Sequence, residues 1–316
     1  MINNVLRNGN FTSSEAVALL GMSKREMTEA EKEEYKKANP KGRATTITAW
    51  PGETVHTYVS ECNMERSLGR SIEKDESAKP LNWGKFVEAL VHGLLSTDYS
   101  LVSSDTVVNP LIPWWTGSVD GLKYIGLHKD AVTDIKCPYT LKSFCQLVDP
   151  LYNGLAGIDA MNAIRFGWVD KMGIERKKHK DGEKYFWQLV SNACHHGTKY
   201  AELIVFVPFQ CELEAIKHKA LLDNQSGKNY WLSMAQDDEL PYLPENSLYT
   251  NINKIRFEVT EAMKMELTLR VLQAGKMLIN NPDYLQVVQR VKEEIPNIVN
   301  YMAPDQIAFF EMLEAA

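Results

Sequence analysis

The chain has 316 residues, a hydrophobic fraction of 44%, a charged fraction of 24% and a formal net charge of −6. These values are typical of a globular protein that buries a sizeable core. No apolar run approaches the roughly 18 residues of a spanning helix, and the start MINNVLRNGN lacks the basic and apolar regions of a signal peptide. We therefore expect a cytoplasmic protein, in which any nucleic-acid site must be a local basic patch.

The five cysteines are an odd number without CxxC spacing, which disfavours a disulfide framework and a structural zinc site. A reducing compartment is the expectation. Cys194, His195 and His196 are consecutive, and neighbours on a helix point in different directions, so a metal site there is also disfavoured. An iron–sulfur cluster near the C-terminus is disfavoured because no cysteine lies beyond Cys211.

The first part of the chain predicts two helices around a charged segment. Phe11–Gly21 fits a short helix with a Ser or Thr cap, and Met22–Thr46 is charge-dense, as an exposed helix or a mobile flap would be. Asn82–Leu95 places its apolar residues at helical spacing, with Asn82 as the N-cap and Glu88 at the edge of the apolar stripe.

The middle of the chain predicts a hairpin, helices and a covered strand. In order, these are a β-hairpin over 114–137 that turns near 126–130, a helical stretch over 141–168, a polar, basic loop over 170–184, a helix over 185–193 and a β segment over 201–209. The order helix, hairpin, helix, strand predicts an α/β fold with a mixed central sheet flanked by helices.

The last part of the chain predicts helices. After the proline-marked connector 240–246, residues 253–279 fit one long periodic helix, and further helical stretches follow. We therefore expect a main domain over 1–240 and a helical C-terminal extension over 241–316.

The DIK segment at residues 134–136 aims two opposite charges at one point. Side chains alternate along a strand, so Asp134 and Lys136 share one face while Ile135 points into the core. Asp120 lies on the other arm of the hairpin, where it can approach Asp134 across the ladder. Each of these residues alone has an ordinary explanation as a turn or surface residue. Their combination is what indicates a site.

Two converging carboxylates suit a hard divalent cation. Mg²⁺ prefers oxygen ligands and keeps several waters, so Asp120, Asp134 and a backbone carbonyl, that of Ile135, form a suitable ligand set for Mg²⁺ or Mn²⁺. Such an ion polarises a phosphate, and Lys136 can stabilise charge on the attacking water or in the transition state. Glu88 could complete the shell or help to bind a second ion.

Five segments together resemble the phage lambda exonuclease, or YqaJ-like viral recombinase, branch of the PD-(D/E)XK nucleases. They follow the family's order from about Arg7 to Phe209: LRNGNFTSSEA, NWGKFVEAL, GSVDGL, VTDIKCPYT and YFWQLVSNA. DIKCPYT is the specific segment, because it couples the acid-x-Lys pair to a Cys-Pro-aromatic-Thr tail. The resemblance implies a restriction-endonuclease-like fold.

The resemblance also implies roles for individual residues. Glu88, Asp120 and Asp134 correspond to the metal-site acids, Lys136 to the catalytic lysine, and Gln188 to the motif glutamine on the helix after the core strands.

Near the N-terminus, an Arg and a Ser of the family hold the terminal 5′-phosphate of the digested strand, and Arg7 and Ser14 keep that spacing. Arg suits bidentate phosphate recognition. Ser14 has an alternative as an ordinary residue at the start of a helix. Two features depart from the family: Asp134 stands where many members carry Glu, and the chain is longer both between the lysine and the glutamine and beyond about Leu240.

The activity that the resemblance implies is a metal-dependent exonuclease, which degrades linear double-stranded DNA from its ends, 5′ to 3′. The resulting 3′ single-stranded tails would serve phage-type homologous recombination. The implied partners are a single-strand annealing protein and further copies of the chain in a ring-shaped trimer.

Several alternatives stay open. An endonuclease of the same fold shares every catalytic residue but cuts closed circular DNA. A non-catalytic DNA-binding module is disfavoured because a converging acid pair repels itself without a metal. A small-molecule phosphohydrolase is disfavoured because no nucleotide-cradling glycine loop is present. The basic loop 176–184 fits a phosphate-tracking segment or a solvated surface.

Overall fold

The computed structural model describes residues 6–72, 78–95, 99, 105–223 and 227–314. The chain divides into two compact units, of which the first comprises 1–72, 108–116 and 261–316 and the second comprises 73–107 and 117–260. The domain boundary expected between residues 240 and 241 therefore falls inside the second unit.

The strands, in chain order, are β1 (Phe11–Thr12), β2 (Ser23–Glu26), β3 (Thr46–Ala49), β4 (Val107–Val108), β5 (Trp115–Gly117), β6 (Gly121–Ile125), β7 (His128–Lys136), β8 (Trp168–Val169), β9 (Glu175–Arg176), β10 (Tyr200–Phe206) and β11 (Ile252–Glu258). The helices are α1 (Glu29–Ala38), α2 (Glu53–Leu68), α3 (Lys79–Leu95), α4 (Leu141–Tyr152), α5 (Gly157–Phe166), α6 (Gly182–His196), α7 (Leu213–Leu222), α8 (Tyr230–Met234), α9 (Glu261–Gly275), α10 (Tyr284–Glu294) and α11 (Pro304–Glu314). Among the described residues, no helix combines the length and the apolar character needed to cross a membrane.

The second unit is built on a four-stranded mixed sheet with the order β11-β10-β7-β6. β7 runs parallel to β10, while β6 and β11 run antiparallel to their neighbours. Six of the seven residues of β10 are buried. This central position explains its uninterrupted apolar sequence, because both faces of a central strand are covered.

Helices cover both faces of this sheet. On one face, α3, α7 and α8 share a buried core with Ile135 and Ile204. On the other face, Phe186 of α6 stacks on Phe257 of β11, with ring centroids 5.5 Å apart. Because alternate residues of a strand point to opposite faces, Asp134 lies on the α6 side of β7. The expected α/β fold, a mixed central sheet flanked by helices, is confirmed.

The helix that carries Glu88 begins earlier than expected. α3 has Pro80 in its first turn, so Asn82 lies inside the helix and is not its N-cap. Proline is tolerated there because the N–H groups of a first turn have no partner within the helix. Val87 is fully buried, and burial of its side chain stabilises the fold by about 1.5–3 kcal/mol. Glu88 stays partly exposed beside it, at the edge of the apolar stripe.

The prediction of one long helix over 253–279 is wrong for the first part of that range. Residues Ile252–Glu258 form β11, and the helix α9 occupies Glu261–Gly275. Ile255 and Phe257 are buried and alternate with more exposed neighbours, which is the period of a strand. The sequence prediction missed this strand because the longer helical periodicity of the residues that follow was extended back over it. The C-terminal region thus supplies an edge strand of the central sheet in addition to helices.

Two more segments differ in detail from expectation. The stretch 141–168 forms two helices, α4 and α5, and residues 170–184 contain the short strand β9, which pairs with β8. Asp170 closes that turn: its Oδ1 accepts hydrogen bonds from the backbone N–H groups of Met172 and Ile174, both at 2.9 Å. The expected hairpin is present as β6 and β7, antiparallel to each other.

The first unit contains a small sheet with the order β1-β5-β4. The helix expected over Phe11–Gly21 is present as a 3-10 helix over Ser13–Leu20. In the charged segment, α1 buries no residue and starts with a reciprocal capping box between Thr28 and Glu31. The exposed helix expected there is confirmed, whereas the antiparallel pair β2–β3 around it was not expected.

Candidate active site

Asp120 is held against β7 from across the hairpin. Its backbone N–H donates to the carbonyl of Thr133 at 3.1 Å, and its Oδ2 accepts a hydrogen bond from the N–H of Ile135 at 2.6 Å. The expected approach of Asp120 toward Asp134 is therefore present. A main-chain donor aimed at a carboxylate favours its charged form and fixes its position.

Asp134 is the best-anchored side chain of the site. It is 1% exposed. Its Oδ2 lies 2.6 Å from Nζ of Lys136, and its Oδ1 accepts a hydrogen bond from Nε2 of Gln188 at 2.7 Å. The shared face expected for Asp134 and Lys136 is confirmed, and α6 brings Gln188 to the same point. Lys136 keeps 22% of its side chain exposed.

The charges of this cluster perturb one another strongly. Burial raises the pKa of Asp134 to about 6, against the opposing effect of Lys136, and the negative charge of Asp120 raises it further. Burial also raises the pKa of Asp120, although Lys136 and the Ile135 N–H oppose the shift. Burial alone would lower the pKa of Lys136, but the two carboxylates outweigh it and hold that pKa above its ordinary value. The lysine is therefore the cationic member of the cluster.

Glu88 reaches toward this cluster from α3. The pKa of Glu88 is raised to about 8, mainly by burial and secondly by repulsion from the negative charge of Asp120. The positive charge of Lys136 opposes this shift. Its Oε1 lies 4.0 Å from Nε2 of His92, one turn further along the helix. Glu88 thus feels the charges of the acid pair without a hydrogen bond to either carboxylate among the described contacts.

Aromatic residues beside Lys136 were not anticipated as part of the site. The Nζ of Lys136 lies 5.1 Å from the centroid of the Tyr185 ring. The ring of His179 stacks on the same Tyr185 ring, with the two ring centroids 5.6 Å apart. His179 accepts at Nδ1 from the N–H of Asp181, so its Nε2–H donates to Ser143 Oγ at 2.7 Å. Tyr185 precedes Gln188 by three residues, so both side chains lie on one face of α6. This spacing is the sequence signal that could have identified Tyr185 as part of the site.

The donor set fits a hard divalent cation with an incomplete protein shell. Within the described ranges, no three His, Cys, Asp or Glu side chains group closely enough to form a metal site alone. Asp120 and Asp134 supply carboxylate oxygens, which are the ligands that Mg²⁺ and Mn²⁺ prefer. Mg²⁺ commonly takes one or two carboxylates and keeps several waters. The role of Glu88 as a third ligand or as a ligand of a second ion stays a prediction.

Comparisons with known proteins give a distant structural likeness. No protein-family model matches the chain, and no curated protein matches it. A crystal structure of LHK-Exo in complex with dAMP is 13% identical, covers 94% of this chain and 98% of its own, and has a TM-score of 0.46. A structure of the alkaline exonuclease LHK-Exo from Laribacter hongkongensis is 13% identical, with 92% and 96% covered and a TM-score of 0.45. A phage-related exonuclease from Haemophilus somnus 129PT is 13% identical, with 89% and 96% covered and a TM-score of 0.45.

Arg7 and Ser14 lie in the first unit, whereas the acid cluster lies in the second. Ser14 is part of the 3-10 helix, and its Oγ lies 3.2 Å from Oγ1 of Thr12. Arg7 is partly buried just before the turn at Gly9. The 5′-phosphate role of these two residues stays a prediction.

Two further groups of polar residues that the sequence singled out lie in the basic loop and at the end of α6. Arg176 of the basic loop pairs with Asp170 at 2.7 Å, so this arginine stabilises the β8–β9 turn. The end of α6 carries Cys194, His195 and His196. Burial lowers the pKa of His196 to about 4, and the charge of Lys129 adds to the shift. Burial of this ring favours its neutral form.

Proposed function

We propose that the chain is a metal-dependent deoxyribonuclease, and specifically an exonuclease that digests linear double-stranded DNA. The observation that carries this proposal is the cluster of Asp120, Asp134 and Lys136. Two carboxylates held side by side, of which Asp134 is buried, destabilise a fold unless a cation joins them, and the partly exposed lysine beside them suits an anionic substrate. Acids whose pKa is strongly shifted by burial beside a specific charged partner are typical of functional sites.

A bound Mg²⁺ or Mn²⁺ would be held by Asp120, Asp134 and the carbonyl of Ile135, and would supply Lewis-acid activation of the scissile phosphate and of water. Gln188 orients Asp134 through its hydrogen bond to Oδ1. Asp120 is oriented by the N–H of Ile135. Both acids are thus presented in fixed positions before any substrate arrives, which reduces the reorganisation that catalysis requires.

Lys136 acts as a cation in this proposal. Its ion pair with Asp134 at 2.6 Å keeps Nζ protonated, so it cannot take a proton from water. It can instead donate hydrogen bonds to a phosphate oxygen that gains charge in the transition state. Tyr185 supports this orientation, because the face of an aromatic ring attracts a nearby ammonium.

We also propose that degradation starts from a 5′ end and leaves 3′ single-stranded tails. These tails would be transferred to a single-strand annealing protein. The support for these finer features is the order of the five sequence segments described above. The same resemblance leads us to propose a homotrimer. Light scattering of the purified chain tests the trimer directly, and a monomer at all concentrations would contradict it.

The decisive experiment separates end-dependent from internal cleavage. The protein is incubated with Mg²⁺ on linear 5′-phosphorylated duplex DNA and on covalently closed circular DNA, and released nucleotides are followed. We expect loss of the linear substrate only. Cutting of closed circles would instead establish an endonuclease of the same fold.

Two variants accompany this assay. Lys136→Ala should abolish release of nucleotides, whereas Lys129→Ala, an exposed lysine on the same strand, should retain it. If the wild-type protein binds DNA but cleaves neither substrate with Mg²⁺ or Mn²⁺, the protein is a binding module and the enzymatic proposal is wrong.

A further inference from the structure

A cavity of about 630 Å³ lies between α3 and the α7–α8 segment of the second unit. Its polar lining includes Asn82, Lys85, Lys219, Asp223, Lys228 and Asn229. We refer to it as the lysine cavity. None of its lining residues belongs to the acid cluster, and no sequence motif pointed to it.

The walls of the lysine cavity are held by the protein core. Phe86 of α3 lines the cavity and is 9% exposed, and it packs in the same buried cluster as Ile216 and Ala220 of α7. At the far end of α7, Oδ2 of Asp223 accepts a hydrogen bond from Nδ2 of Asn229 at 2.8 Å. Because both walls rest on one core, the separation between the two walls is set before a ligand binds.

The charge of the lining differs from that of the chain. Three lysines face one aspartate in the lysine cavity, whereas the whole chain carries a net charge of −6. Three lysines and one aspartate give the lining a formal charge of +2. A positive concavity on an acidic protein attracts anions locally, and lysine binds phosphate as a point charge without reading a base.

The position of the lysine cavity relates it to the acid cluster. Lys85 lies three residues before Glu88 on α3, so the two side chains are neighbours on one helix face. One helical turn rises about 5.4 Å. A phosphate bound at Lys85 would thus lie about one turn from the side chain that reaches toward Asp120 and Asp134.

We propose that the lysine cavity binds backbone phosphates of a DNA strand next to the acid cluster. This inference deepens the proposed nuclease function and rests on it. The lysines come from two helices and a loop, an arrangement that follows a chain of phosphates better than a single anion. The exposed side chains of Leu222 and Ala89 in the lining offer apolar contact to the sugars. Contacts of this kind position a strand and carry no sequence preference.

The test measures the salt dependence of DNA binding without catalysis. Fluorescence anisotropy of a labelled linear duplex, in EDTA and at several salt concentrations, is compared for the wild type and the double variant Lys219→Gln/Lys228→Gln. Each lost phosphate contact lowers the slope of log K against log salt by about 0.9, so we expect a slope shallower by about 1.8. Lys85→Gln should lower the slope by about 0.9 and serves if the double variant does not fold.

The matched control is Lys36→Gln/Lys37→Gln in α1, which removes the same charge from exposed positions of a helix that buries no residue. It should leave the slope unchanged. An unchanged slope in the cavity variants, or an equal change in the control variant, would overturn the proposal. The same holds if the cavity variants lose binding of a deoxynucleoside monophosphate but keep DNA binding, because the cavity would then hold a free nucleotide.

Failure of this inference differs from failure of the proposed function. If the wild type digests linear DNA and the cavity variants bind DNA with an unchanged salt slope, only the role of the lysine cavity is wrong. If the wild type does not cleave DNA at all, the nuclease proposal itself is wrong.

Discussion

Gln188 on α6 donates a hydrogen bond to Oδ1 of Asp134 on β7 at 2.7 Å, while the other oxygen of that carboxylate lies 2.6 Å from Nζ of Lys136. Both oxygens therefore have fixed neighbours from two different elements. The carboxylate cannot rotate without breaking one of these contacts. A helix that contributes no acid thus decides how the acid is presented.

This relationship predicts the effect of Gln188→Met, which keeps the side-chain length but removes the donor. The Mg²⁺ concentration that gives half-maximal nuclease rate should rise about 10- to 100-fold, because partners of a metal ligand typically contribute that much. Thermal melting checks that the variant is folded. An unchanged Mg²⁺ requirement in a folded variant would contradict the orienting role.

Binding of the ion should stabilise the folded protein. We expect the melting temperature of the wild type to rise with Mg²⁺ or Mn²⁺ concentration, since a ligand of the native state adds about 2.7 kcal/mol at 100 times its Kd. Asp134→Asn should lose this rise, and Asp159→Asn, an acid in the first turn of α5, should keep it. Equal rises in both variants would place the ion elsewhere.

A second buried acid stabilises the sheet. Glu202 of β10 is 2% exposed and accepts hydrogen bonds from Tyr99 Oη at 2.6 Å and from Arg256 Nη1 at 2.8 Å, and Nζ of Lys123 lies 3.7 Å away. Arg256 also pairs with Asp130 at 2.7 Å. These contacts join all four strands of the central sheet.

Removal of this acid should therefore destabilise the fold. Glu202→Ala should lower the free energy of unfolding by about 3 kcal/mol, because it breaks a buried ion pair and leaves partners unsatisfied. The matched variant Lys123→Ala should lower it by less than about 1 kcal/mol, because that lysine is partly exposed. Urea unfolding followed by circular dichroism measures both, and equal losses would contradict the central role of Glu202.

The half-buried ring of His196 makes stability depend on pH. Its pKa is lowered to about 4 by burial and by Lys129, and its Nε2 is buried without a hydrogen-bond partner among the described residues. The unfolded chain has the ordinary pKa of 6.5 and binds a proton first. The stability contribution is therefore complete above pH 6.5 and is lost as the pH falls toward 4.

His196→Asn should remove this part of the acid sensitivity. The decrease in melting temperature between pH 7.5 and pH 5 should be smaller in the variant than in the wild type. Carboxylates titrate in both proteins, so the difference between the two decreases is the measured quantity. Identical decreases would show that His196 does not contribute.

The hairpin and its charges were predictable because they depend on local rules. Alternation along a strand is enough to place Asp134 and Lys136 together, and a hairpin brings its two arms side by side. The fold class followed from the order of elements for the same reason. The start of α3 was predicted too late in the chain, because asparagine is a favoured N-cap residue and Asn82 was taken as the cap. In the structure Pro80 already lies in the first turn.

Other features depend on contacts between distant segments and leave little trace in a single sequence. β11 has a strand pattern of only a few residues, and the adjoining helix obscures it. The Glu202–Arg256–Asp130 network requires β7, β10 and β11 to lie side by side. The lysine cavity joins α3 to residues far along the chain, so no local window contains more than one wall.

The place of β11 in the sheet has a practical consequence for truncation. Cutting the chain after residue 240 would not remove an independent appendage; it would delete the strand that pairs with β10 along its whole length from Tyr200 to Phe206. The uncovered apolar strand would then present a row of unsatisfied backbone groups to other molecules. A fragment ending there would be prone to aggregate, and its loss of activity would say nothing about catalysis.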